Sequence, residues 1–150
     1  MMWKSGTGKA REQMTYGRIT NCPLTIAEIA TRVADDTSGA IAVFDGRVRN
    51  HDHGREVTSL EYSAHPAAER IVQEVAEDIR ERFGLCGVAI VHRVGHLNIG
   101  ETALAAAVSS PHREAAFAAL AELVDEVKKQ VPVWKKQYYS DGTYEWSNCA

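Results

Sequence analysis

Apolar residues recur at helical spacing in three stretches of the chain. In LTIAEIATRVADD, Ile26, Ile29, Ala30 and Val33 share one face, and Thr25 with Glu28 makes a capping-box pattern ahead of them. Beyond Pro66, the positions Ala68, Ile71, Val72, Val75 and Ile79 predict a helix that opens at the proline and runs to about Phe83. Beyond Ser110 and Pro111, Ala116, Leu120, Leu123 and Val127 form a third stripe with Phe117 and Val124 beside it, and Pro132 ends that helix. The intervening segments alternate as strands do. GAIAVFDGRVRN runs into the charged turn NHDHGRE, and VTSLEYSA returns from it. GVAIVHRVG and TALAAAVSS are two further strands, with HLNIGE between them as a turn or short loop. VWKKQYY and YEWS flank SDG as a terminal hairpin. Helices fall between pairs of strands rather than after each one. That order predicts an α+β fold with a mainly antiparallel sheet and two long helices.

Length and charge narrow the function. A chain of 150 residues suits one domain with a full core. A net charge of −3 argues against general nucleic-acid binding but leaves room for a local cationic pocket. No apolar run approaches the ~20 residues needed to span a bilayer, so no membrane association is expected. The opening MMWKSGTGKAREQMTYGR is polar, basic and glycine-containing, without the apolar core of a signal peptide. It predicts a disordered extension over residues 1–20, ahead of a domain over 21–150. Cys22, Cys86 and Cys149 are far apart and form no C-x-x-C pair, which fits free thiols in a cytoplasmic protein.

Four groups of residues carry candidate chemistry. Arg47 and Arg49 flank Val48 at a strand end, where two guanidiniums on one face suit a phosphate or carboxylate. A solvated strand end is the plainer alternative. His112 and Arg113 stand at a helix start, where exposed NH groups and two cationic side chains favour an anion. A solvent-facing pair explains them equally well. Lys128 lies one turn past Val124, close to the buried stripe, so it either snorkels or reaches into a pocket. Lys135 and Lys136 face opposite sides of their strand, so only one of them can share a pocket with Lys128. Guarding a strand edge is the alternative for both. The histidines of HDHG and VHRVGH lack an acidic partner at diagnostic spacing, which argues against metal.

Taken in order, FDGRVRNHDHG, LEYSAHPAA, HRVGHLNIGE, VSSPHREAAF and VPVWKKQ resemble the large, catalytic subunit of molybdopterin synthase, the MoaE family. The likeness runs from about Gly39 to Trp146. It implies an α+β fold related to the α/β-hammerhead and sulfur transfer in molybdenum cofactor biosynthesis. The implied substrate is precursor Z, a cyclic pyranopterin monophosphate. The implied sulfur donor is a small ubiquitin-like subunit ending in a Gly-Gly thiocarboxylate. The likeness implies no metal or organic cofactor, and a homodimer carrying one small subunit at each end. It also implies catalytic roles for Lys128 and Lys135, with Arg47, Val48, Arg49, His112, Arg113, Lys136 and Gln137 binding substrate. The family usually has an acidic residue where this chain has Gln137. His112 and Lys128 are 16 residues apart on one predicted helix, roughly 24 Å. A single pterin phosphate cannot touch both ends, so His112 and Arg113 are expected to complete the pocket of a neighbouring subunit. The same exposed strands also suit a non-enzymatic module that holds a ubiquitin-like tail. A nucleotide hydrolase is disfavoured, since no P-loop or paired-carboxylate motif is present.

Overall fold

The structure is a computed structural model and describes residues 14–148. In chain order the first half comprises β1 (Thr15–Thr20), α1 (Ile26–Val33), β2 (Ala40–Arg47), β3 (His51–Asp52), β4 (Arg55–Ala64) and α2 (Ala68–Phe83). The second half comprises β5 (Gly87–Arg93), β6 (Gly95–Asn98), β7 (Thr102–Ser110), α3 (Arg113–Gln130), β8 (Val133–Tyr139) and β9 (Tyr144–Ser147). Two sheets result. One has the order β1-β5-β7-β2, and the other runs β3-β4-β8-β9 with β6 also paired to β4. The expected α+β class and mainly antiparallel pairing are both present, with β1–β5 the parallel exception among the described residues.

The sequence of the first sheet explains its layering. Strand β5 is buried along almost its whole length, because helices cover both of its faces. On one face Val88 and Ile90 pack with Val72 and Ile79 of α2 in a core that Leu123 and Val127 of α3 also enter. On the other, Ala89 and Val91 meet α1 through Ile29 and Val33. Beside β5, β7 is built of small residues such as Ala105, Ala106 and Ala107, each fully buried. Short side chains there let helices approach the sheet from both sides.

Four local readings differ from the structure. Residues 15–20, assigned from sequence to a disordered extension, form β1, while residues 1–13 lie outside the described residues. The strand is stabilised by partners some 70 residues away, from Thr15↔Val88 to Thr20↔Arg93, which its short polar sequence does not announce. Residues 96–101 (HLNIGE), expected as a turn or short loop, give their first three residues to β6 (Gly95–Asn98); Leu97 sits opposite Leu60 and is fully buried. Phe117 is 66% exposed. It lies 100° round the helix from Ala116, at the margin of the stripe set by Ala116, Ala119, Leu123 and Val127. Thr25 is the N-cap of α1 as expected, yet its side chain makes no capping hydrogen bond.

Strand β1 rides directly on α2. Its Gly17 N–H donates to Gln73 Oε1 at 2.8 Å, and a Cβ at Gly17 would come within 2.8 Å of Gln73 Cα and 2.9 Å of Val72 C. Those are backbone atoms of a packed helix and cannot swing aside. Gly17→Ala is therefore expected to cost about 1–3 kcal/mol, the range for overpacking. Urea unfolding checks this, with Gly17→Ala shifting the midpoint down at unchanged slope.

Candidate active site

Three walls meet at one cavity. The first is the β4–β8 pair, whose register sets Tyr62 opposite Lys135 and Leu60 opposite Gln137. Strand alternation turns Lys135 and Gln137 to the inner face. The second is the last turn of α3, which carries Lys128. Pro132 stands between that helix and β8, and its carbonyl accepts from the His65 N–H at 3.0 Å, pinning the reversal to the end of β4. Lys128 and Lys135 thereby reach one space from two elements. The third wall is the end of β2, where the register shifts between Gly46 and Arg47. There the Val48 N–H donates to the Glu101 carbonyl at 3.0 Å, and the Gly100 N–H donates to the Val48 carbonyl at 2.8 Å. Arg47 donates from Nε and Nη2 to the Gly100 carbonyl at 2.9 and 2.7 Å, which fixes its guanidinium.

The cavity has a volume of about 270 Å³. Arg47, Arg49, Lys128 and Lys135 line it together with His51, and no carboxylate is on its wall among the described residues. In a protein of net charge −3, this places a concentrated positive potential in one hollow. Such a hollow selects anions of modest size.

His92 forms part of the floor and is 1% exposed. Its Nδ1 lies 2.8 Å from the Arg93 carbonyl and must carry the proton to donate there. The Tyr62 ring meets the imidazole edge-on, with centroids 4.8 Å apart. Burial pushes the His92 pKa down to about 4, and the Lys128 charge adds to the depression. His92 is thus neutral at pH 7 and adds no further positive charge beside Lys128.

Of the residues singled out from sequence, Arg47, Val48, Arg49, Lys128, Lys135 and Gln137 come together on this cavity. Lys136 does not, which corrects the expectation that it lines the pocket. Alternation turns it to the outer face, where its ammonium lies 4.3 Å from the Tyr144 ring centroid and 5.5 Å from that of Trp146. His112 is the N-cap of α3 and Arg113 its first residue, both exposed and at the opposite end of the helix from Lys128. They do not line the cavity of their own chain. Among the other lining residues, His51, Tyr62 and His92 bring polar groups to the cavity that were not expected from the sequence. A histidine inside the apolar run GVAIVHR was the available signal for His92, since a buried polar group there needs a partner. Gln137 donates from Nε2 to Asp52 Oδ2 at 2.9 Å, so a carboxylate stands just behind the wall at this position.

An α+β frame whose two sheets and helix end gather cations round a small hollow is a frame suited to holding an anion. A family model described as MoaE protein matches residues 19–130. The molybdopterin synthase catalytic subunit of Nostoc sp. is 40% identical over 130 residues, spanning 85% of this chain and 79% of that protein. The crystal structure of molybdopterin synthase from Staphylococcus aureus matches at a TM-score of 0.81 and 33% identity, covering 89% of this chain and 97% of that one. The complex of subunits 1 and 2 of molybdopterin-converting factor from Helicobacter pylori shares the fold, with a TM-score of 0.70 at 18% identity over 87% of this chain and 88% of that one. The chain belongs to the MoaE protein family.

The depressed His92 pKa makes stability depend on pH. Unfolded, the imidazole titrates near 6.5; folded, near 4. Between those values the unfolded chain binds more protons, so stability is full above about pH 6.5 and falls as the pH drops toward 4. The loss amounts to about 3 kcal/mol at the acid end. Denaturant unfolding from pH 7 to 4 should show His92→Gln losing less stability than the wild type by roughly that amount.

Proposed function

We propose that this chain is the catalytic subunit of a molybdopterin synthase. In this reading it transfers sulfur from the C-terminal thiocarboxylate of a small ubiquitin-like partner to precursor Z, a cyclic pyranopterin monophosphate. The product is the dithiolene that later holds molybdenum. The observation that carries the reading is the convergence of Lys128, Lys135, Arg47 and Arg49 on one cavity without a lining carboxylate. Both reactants are anions, and both need to lie in the same hollow at the moment of transfer.

The residues divide the work by position. Lys128 is the central group: it holds the thiocarboxylate while its sulfur attacks the pterin side chain and takes the place of an oxygen there. This gives a thioester that water then cleaves, so that the thiol stays on the pterin and the partner leaves as its carboxylate. Lys135, on the facing wall, supplies charge and proton transfer. Arg49 sits at the rim with 68% of its side chain exposed and meets the phosphate. Arg47 is already anchored on the Gly100 carbonyl, so its charge is preorganised. As the cyclic phosphate opens, negative charge grows where these cations already point.

His112 and Arg113 enter from a second copy of the chain. The 18-residue α3 keeps them roughly 24 Å from their own Lys128. The outer strand β2 carries Ile41 and Val43 at 46% and 44% exposure, and its first residue pairs with Ser110, just ahead of His112. Phe117 is exposed one turn further along α3. An edge strand with uncovered apolar side chains is a natural pairing surface. A two-fold contact there would create two composite pockets. We assign the protein to the cytoplasm on the strength of its free Cys22 and Cys86. No helix among the described residues is long and apolar enough to cross a membrane.

Two experiments test this reading. With thiocarboxylated partner and precursor, Lys128→Ala should lose dithiolene formation by 10²-fold or more while still binding the partner. A module that only docks the tail would bind and yield no dithiolene even as wild type. A mixed dimer of Arg113→Ala and Lys128→Ala subunits should recover about half of wild-type activity, because one of its two pockets is intact. Zero recovery from intact dimers would contradict a shared pocket.

A further inference from the structure

Behind the cationic wall stands one carboxylate with an unusual set of partners. Asp52 ends β3 and is held there by a tight turn in which His53 and Gly54 both take positive φ, 49° and 77°. Its Oδ2 accepts from Gln137 Nε2 at 2.9 Å, and its Oδ1 lies 3.5 Å from Arg49 Nη2. His53 Nε2 lies 3.7 Å from the same oxygen. The Gln137 amide is itself oriented. Its Nε2 also reaches the Tyr139 hydroxyl at 3.1 Å, and that hydroxyl donates to Glu145 at 2.7 Å. The amide nitrogen therefore faces two acceptors, and Asp52 is tied to a residue only 7% exposed. The Asp52 side chain is 22% exposed, against 68% for Arg49. The carboxylate is the tethered, less exposed member of the pair and the guanidinium the solvent-facing one. The Gln137 hydrogen bond above all, then the charges of His53, Lys135 and Arg49, hold the Asp52 carboxyl below its usual range.

We propose that Asp52 is the internal counter-ion of the cavity: latched by Gln137, it holds Arg49 until a substrate anion displaces it, and so limits the affinity of the site for negative charge. The assignment rests on the sulfur-transfer reading only for the identity of that substrate. Arg49 exchanges one carboxylate for the incoming phosphate, while Asp52 stays bound to Gln137 and keeps opposing the anion. A site with four cations and no such opposition would retain an anionic product strongly. Asp52 and Gln137 are positioning residues in this account, since neither is required to touch the reacting atoms.

The test uses the full chain with its thiocarboxylated partner and two readouts, the KM for precursor and the affinity for inorganic phosphate by calorimetry. Asp52→Asn keeps an acceptor for Gln137 but removes the charge. It should lower KM roughly threefold, tighten phosphate binding by a similar factor and steepen the salt dependence of both. Gln137→Met frees the latch and should give a smaller gain in the same direction. The double variant should gain no more than Asp52→Asn alone. Glu74→Gln removes a remote carboxylate paired with Arg70 and should change neither readout. Unchanged or weaker phosphate binding by Asp52→Asn, or an equal gain from Glu74→Gln, overturns the counter-ion. If the wild type forms no dithiolene, the sulfur-transfer reading fails, and the phosphate measurements alone decide the role of Asp52.

Discussion

Like charges repel, and Arg47, Arg49, Lys128 and Lys135 all face one hollow. Two like charges about 8 Å apart at an intermediate dielectric repel by on the order of 1 kcal/mol. The fold has to impose that arrangement against its own electrostatics. It does so with groups that are costly to move. Arg47 is clamped by the Gly100 carbonyl, Lys135 lies on a strand paired on both sides at that residue, and Lys128 stands in the last turn of a helix whose Leu123 and Val127 are completely buried. That mutual repulsion is what an anion bound among the cations relieves, so it contributes to affinity for a negatively charged ligand.

The same logic governs the neutral groups. A second titrating cation beside Lys128 would add to the repulsion, and burial keeps His92 uncharged there. Its single proton is committed to the Arg93 carbonyl, so the ring has a fixed orientation against Tyr62. On the other side of the wall, Asp52 offsets part of the positive field from a distance set by Gln137. The site is thus tuned from behind as well as lined from within.

Much of this was legible in the chain. The helical stripes located α2 and α3 to within a few residues, and alternation on VWKKQYY assigned opposite faces to Lys135 and Lys136. Alternation alone could not say which lysine faced inward. The pairing of β8 with β4 decides that, because it sets Lys135 opposite Tyr62. What escaped the reading depends on contacts remote in sequence. β1 exists because β5 and α2 accept it, and β6 because Leu97 finds Leu60 across the sheet. Asp52 was invisible for a similar reason, since 85 residues separate it from Gln137. Local pattern reports periodicity and turn chemistry; it does not report which distant segment will satisfy a strand edge or a carboxylate.

The central claim is spatial: cations from β2, α3 and β8 of one subunit, joined by Arg113 of a second, surround a single anion. A crystal structure of the protein with bound pterin monophosphate tests it most directly. The account predicts the phosphate inside the cavity, within hydrogen-bonding reach of Arg49 and a lysine, with Arg113 of the other subunit closing the site. A phosphate bound elsewhere, or a dimer that leaves Arg113 far from both cavities, would contradict it.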